Sequence, residues 1–157
     1  MKDSKYSIIS TQSQKFYRIF ITCIAGFIGG FIKLGWEVVF PPRTPERNIT
    51  NPPQSFLESL GCSHDFTHLT YSFNEYDLPI ISFCIHFLFS IGCAWFYIQY
   101  IAKESVFSPI KAMSFGFFIF IAFHIIFMPM LGIIPNALNQ PIEEHISEFF
   151  GIFFGCG

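Results

Sequence analysis

RIFITCIAGFIGGFIKLGWEVVFPPRTP, residues 18–45, decides how the chain folds. Between residues 19 and 40 the only charged side chains are Lys33 and Glu37. At ~1.5 Å per residue this run reaches about 33 Å, enough to cross the hydrocarbon core of a bilayer. Pro41 and Pro42 then end it, because proline has no N–H to give and its ring clashes with the preceding turn. The stretch reads as the first of several membrane-spanning helices, with a charge pair near its far end.

The rest of the chain has the same character. It is 52% hydrophobic and 20% aromatic with only 13% charged residues, and its 23 phenylalanines exceed what a soluble domain of 157 residues needs. A net charge of −2 without a dense basic run argues against nucleic acid as a partner, since phosphate binding needs a localised Lys/Arg surface. The expected partner is the lipid bilayer. Of the five cysteines, Cys23, Cys84 and Cys93 lie in apolar runs, Cys156 is near the end and Cys62 stands in a polar loop, so no disulfide framework is expected. The first apolar run is too long for a signal-peptide core and lacks a small-residue cleavage site after it, so it is expected to stay in the mature protein.

The fold class that follows is all-α: a polytopic transmembrane bundle with three full spans and a fourth, partial one, forming a single domain over 18–157. The spans are expected at about 19–40, 80–101, 112–134 and 146–157, with an outer loop at 41–79. Lys2, Lys5, Lys15 and Arg18 mark residues 1–17 as a cytoplasmic tail by the positive-inside rule. The outer loop carries five Asp/Glu against two Arg and no lysine. Within it residues 55–61 suit a short amphipathic helix ended by Gly61. Pro129 should kink the third span close to His124. The final apolar run from Ile146 reaches only about 18 Å as a helix, too little to cross. Gly26 and Gly30, four apart, with Gly29 beside them, remove side chains from one part of the first span. That suits a packing seam within the bundle or between protomers, or else reflects the ordinary enrichment of glycine in membrane helices.

Counting turns from the helix ends puts Lys33, Glu37, His86, His124 and Glu148 in the same half of the membrane, beneath the outer face. A charge facing lipid is costly, so each should point into the bundle or snorkel to the interface, and Lys33 and Glu37 at i,i+4 can pair. A shared polar chamber is the economical account. Taken singly, each histidine also fits a helix-packing hydrogen bond. Outside the spans, Cys62, His64, Asp65 and His68 offer a metal-ligand set within seven residues, although a polar loop carries such residues for solvation anyway. No cofactor is expected, and there is no nucleophile elbow, phosphate loop or metalloprotease motif.

Lys33-Leu34-Gly35-Trp36-Glu37-Val38 followed by Pro41-Pro42-Arg43-Thr44-Pro45 resembles the signature of the YagU-like bacterial inner-membrane proteins, a family of unknown function. His86-Phe87-Leu88-Phe89-Ser90, Pro129-Met130-Leu131-Gly132, and Pro141 followed by Ser147-Glu148-Phe149-Phe150-Gly151 are similar to it as well. Gly35, Pro41, Pro42, Arg43 and Pro45 are the motif positions. The resemblance implies a small multi-pass inner-membrane protein associated with acid resistance, without an established activity or ligand. Family members usually complete the last span and finish in a charged tail, which this sequence does not. The expected function is non-enzymatic: a pH-responsive polar cluster serving proton or solute handling. The alternatives are a structural or accessory subunit packed against a second copy or a membrane partner, and a metal- or haem-binding membrane enzyme.

Overall fold

A computed structural model of the chain describes residues 2–40, 49–102 and 108–156, without the side chains of residues 2–11 and 156. The protein is an all-α membrane bundle. Helix α1 (Lys2–Val39) is continuous, so the expected polar tail of 1–17 is helical from Lys2. No glycine or proline interrupts the chain before Gly26, and a helix once nucleated propagates at little cost. Among the described residues three helical stretches are long and apolar enough to cross a membrane: Gln12–Val39, Ile80–Ile101 and Pro109–Met130. Their large apolar side chains face outward, as at Phe31 (64% exposed) and Phe118, which suits a surface solvated by lipid rather than water.

The segment joining the first two spans is built, not loose. Helix α2 (Pro52–Ser59) opens on a capping box, in which Asn51 accepts from the Gln54 amide at 3.2 Å and Gln54 accepts from the Asn51 amide at 2.8 Å. It closes on Gly61, whose φ of 94° lets the Gly61 and Cys62 amides bond back to Glu58 and Leu57. A single turn α3 (His64–Thr67) follows, and then a two-stranded antiparallel hairpin that was not expected from the sequence, β1 (Thr70–Phe73) and β2 (Tyr76–Pro79), with Thr70 opposite Pro79. The Ser82 hydroxyl donates to Asn51 at 2.7 Å and so ties the start of α2 to the next span.

That span, α4 (Ile80–Phe96), continues through a π turn over Tyr97–Ile101. Helix α5 (Pro109–Ile119) widens into π turns over Phe120–Phe127 before a last α turn, Met128–Met130. Pro129 has no N–H for the carbonyl one turn back, and the widened turns lie just before it. The third span ends at Met130, short of the expected residue 134. Gly132 (φ 70°) donates to Pro129 and Ile133 to Met128, a closing motif that reverses the chain before Pro135 is reached. The last helix, α6 (Ile142–Cys156), starts one turn earlier than the expected residue 146. Pro141 presets its entry, and Glu143 and Glu144 suit the positive end of its dipole.

Helix α1 packs on α4 and α6, and α5 packs on α6. Tyr97, Ile98, Phe115, Ile119, Phe120 and Ile152 form the buried core where the last three helices meet. The glycines of α1 divide between two neighbours. A Cβ at Gly26 would stand 2.5 Å from the Ile91 Cα, and one at Gly30 would stand 2.8 Å from the Phe87 ring, both on α4. A Cβ at Gly29 would meet the Gly155 carbonyl oxygen of α6. Gly26 and Gly29 therefore let two helix backbones approach inside this one chain, and Gly30 makes room for the Phe87 ring.

Candidate functional site

The i,i+4 spacing on α1 brings Lys33 against Glu37, and the close α1–α6 crossing adds Glu148, whose Oε2 lies 3.1 Å from the Lys33 Nζ. The three side chains are only 20%, 17% and 11% exposed. One ammonium thus stands between two carboxylates. Gly151 makes room for this: a Cβ there would lie 3.2 Å from the Trp36 ring and 3.7 Å from the Lys33 stem. A second clamp lies one turn nearer the end of α1. Trp36 Nε1 donates to the Ser147 Oγ at 3.2 Å, and that hydroxyl donates to the Phe40 carbonyl at 2.8 Å.

His86 reaches across from α4. Its Nε2 donates to the Gly30 carbonyl of α1 at 3.0 Å, which fixes the neutral ring as the Nε2–H tautomer. It sits within electrostatic reach of Lys33, Glu37 and Glu148. His124 does not join this group. It is buried on α5, stacked on Phe120, with its Nε2 3.2 Å from the Nδ1 of His145 on α6. His145 Nε2 is 2.8 Å from the Ala137 carbonyl, which can only accept. The neutral His145 therefore carries its proton on Nε2, and His124 donates its own Nε2–H to His145 Nδ1.

A cavity of about 970 Å³ runs between α1, α4, α5 and α6. Lys33, Glu37, His86, His124, Glu144 and Glu148 all line it, among mostly apolar neighbours. Of the five residues expected to share a chamber, four lie in or beside the ion triad and His124 lies on another wall with a partner of its own. His145 and the buried Glu144 are not among the expected residues, because both fall between the expected third and fourth spans. The signal was present in the i,i+4 pair Glu144 and Glu148, which extends α6 back towards Pro141.

Of the family-motif residues, Gly35 lies on an open face of α1, while Pro41, Pro42, Arg43 and Pro45 lie outside the described residues. The loop set Cys62, His64, Asp65 and His68 is not the cluster that forms. His64 and His68, four apart, share a face, and the turn at Gly61 folds Glu58 of α2 onto them, while Cys62 and Asp65 are not part of the group. The Thr67 hydroxyl donates to Glu58 at 2.7 Å, and this bond, ahead of the nearby His64, holds the Glu58 carboxyl below the usual carboxylate range.

Fold and site together define a multi-pass helical membrane protein with a three-membered ion cluster on the wall of a cavity between helices. Residues 27–156 match the family described as "Protein of unknown function (DUF1440)", and the chain belongs to that family. It is similar to the inner membrane protein YagU of Escherichia coli (strain K12), with 30% identity over an alignment of 156 residues that covers 84% of this chain and 75% of that protein. No solved structure matches it.

Proposed function

We propose that the protein is a non-enzymatic component of the bacterial inner membrane, with its N-terminus in the cytoplasm, that handles protons or solutes through the α1–α4–α5–α6 cavity during acid stress. The observation that carries this reading is the ion triad beside His86. Lys33 of α1 stands between Glu37 of α1 and Glu148 of α6, and His86 of α4 lines the same cavity while bonded to the α1 backbone, so a proton taken up on His86 acts where α1 meets α4 and α6.

The His124–His145 pair responds differently. One added proton leaves the contact intact, because His124 charged at Nδ1 still donates its Nε2–H to His145 Nδ1. A second proton leaves two N–H groups facing each other, and the contact between α5 and α6 opens. Imidazole is the side chain whose ordinary pKa lets acidification drive such a change.

The test is to replace His86 and His124 separately with glutamine and compare survival at acid pH at equal membrane levels. Lower acid survival with unchanged growth at neutral pH is expected for each variant. Survival equal to the parent in both removes the imidazoles from the mechanism. Orientation has its own check, because Cys62 is half-buried in the segment between the first two spans. A membrane-impermeant thiol reagent applied to intact spheroplasts should label the parent and fail to label Cys62→Ser. Labelling that needs permeabilised cells would reverse the topology.

A further inference from the structure

The segment outside the bundle brings two imidazoles and a carboxylate to one point. We infer that Glu58, His64 and His68 form a binding site for a borderline divalent transition-metal ion of the zinc type. The site is separate from the cavity residues and does not depend on the acid-stress reading.

The spacing suits an ion. His64 Nδ1 lies 3.1 Å and His68 Nδ1 3.4 Å from the same Glu58 Oε1, and one ligand atom from each residue falls within 4.8 Å of the others. Three donors held at ~2.0–2.1 Å around a tetrahedral zinc are about 3.3 Å apart. Two edges of the triangle are thus already at coordination separation. The third is set by rings stacked with centroids 3.7 Å apart, and it opens by rotation of the His64 side chain, which is 67% exposed.

The surroundings hold these donors in place. Each nitrogen of His68 has a backbone carbonyl in reach, Nδ1 that of His64 at 3.1 Å and Nε2 that of Ile49 at 3.3 Å, so an ion taking the Nδ1 lone pair beside Glu58 would leave the proton on Nε2, bonded to Ile49. A backbone carbonyl on the far nitrogen is the usual way a ligating imidazole is oriented. The Thr67 hydroxyl, on a residue that is fully buried, donates to the Glu58 carboxylate and fixes its direction. Two nitrogens and one carboxylate oxygen favour zinc, nickel or copper(II) over the hard cations calcium and magnesium, which take oxygen-only sets. The exposed side of His64 leaves the fourth position to water. Since Pro53 and Phe56 on α2 also line the cavity, a bound ion would cross-link α2 to α3 and stiffen that wall.

The experiment uses the full chain, freed of any histidine tag, in detergent micelles. Zinc is titrated against a chromophoric chelator, and cobalt(II) is titrated in parallel as a spectroscopic probe. One ion per chain is expected, with cobalt absorption bands of nitrogen and oxygen ligation and no thiolate charge-transfer band. His64→Ala, His68→Ala and Glu58→Gln should each weaken binding by about tenfold or more, whereas Cys62→Ser and Asp65→Asn leave it unchanged. Absence of stoichiometric binding overturns the proposal, as does binding that survives His64→Ala or is lost in Cys62→Ser. His64 is exposed enough that its replacement should fold, which circular dichroism checks. If His64→Ala does not fold, the parent's cobalt spectrum decides: a thiolate band overturns the site and its absence at one ion per chain supports it.

Discussion

Lys33→Met is expected to cost about 3–5 kcal/mol of stability, the range for removing one partner from a buried ion cluster. Methionine keeps the length of the stem, so the packing against Gly151 and Trp36 survives and the charge alone is lost. Glu37 and Glu148 then face each other across the α1–α6 contact, each less than a fifth exposed, without the ammonium that compensated them. In a bundle surrounded by hydrocarbon they cannot recruit bulk water as a surface pair would. Adding Glu37→Gln and Glu148→Gln removes the mutual repulsion of the two carboxylates, and the triple variant should regain most of the loss. The measurement is the unfolding free energy by reversible denaturation in micelles, for parent, single and triple variants. A single variant as stable as the parent would mean that water already screens these groups. A triple variant no better than the single one would mean that Lys33 acts through packing and not through charge.

The legible part of this site was the local part. Lys33 and Glu37 lie four apart on one unbroken apolar helix, so their pairing follows from helix geometry alone, whereas Glu148 is 115 residues further on and could be placed only by counting turns. The second span was equally plain, because Ile80–Ile101 is a charge-free run bounded by Pro79 and Lys103. Boundaries failed where a short backbone motif outweighed the apolar pattern. Gly132 ended the third span before Pro135, and Pro141 with Glu143 and Glu144 began α6 inside a stretch that reads as polar loop. That second shift hid His145, since a histidine assigned to a loop has no reason to meet His124. Glu58 was hidden by the opposite effect. A ligand search confined to neighbouring residues sees Cys62 and Asp65, while the reversal at Gly61 brings in a residue from the previous helix.

Gly29→Val should be as damaging as Lys33→Met, at about 3 kcal/mol or more, the upper end of what overpacking costs. The group that a Cβ at Gly29 meets is the carbonyl oxygen of Gly155, a backbone atom that cannot rotate away. The approach is reciprocal, since a Cβ at Gly155 would lie 3.0 Å from the carbonyl oxygen of Gly29. Valine therefore forces α1 and α6 apart, and separation reaches the triad, because Lys33 is the next turn of the same helix and Glu148 sits on the other. The loss should accordingly be less than additive with that of Lys33→Met, as both remove the same contact. Gly35→Ala is the control that separates packing from helix propensity. A Cβ at Gly35 meets nothing within 4 Å, and alanine is favoured over glycine in a helix interior by about 1 kcal/mol, so that variant should be neutral or slightly more stable. Both variants, and the combination with Lys33→Met, are read by the same denaturation measurement. Equal behaviour of Gly29→Val and Gly35→Ala would mean that the crossing of α1 and α6 at Gly155 is not what brings Glu148 to Lys33.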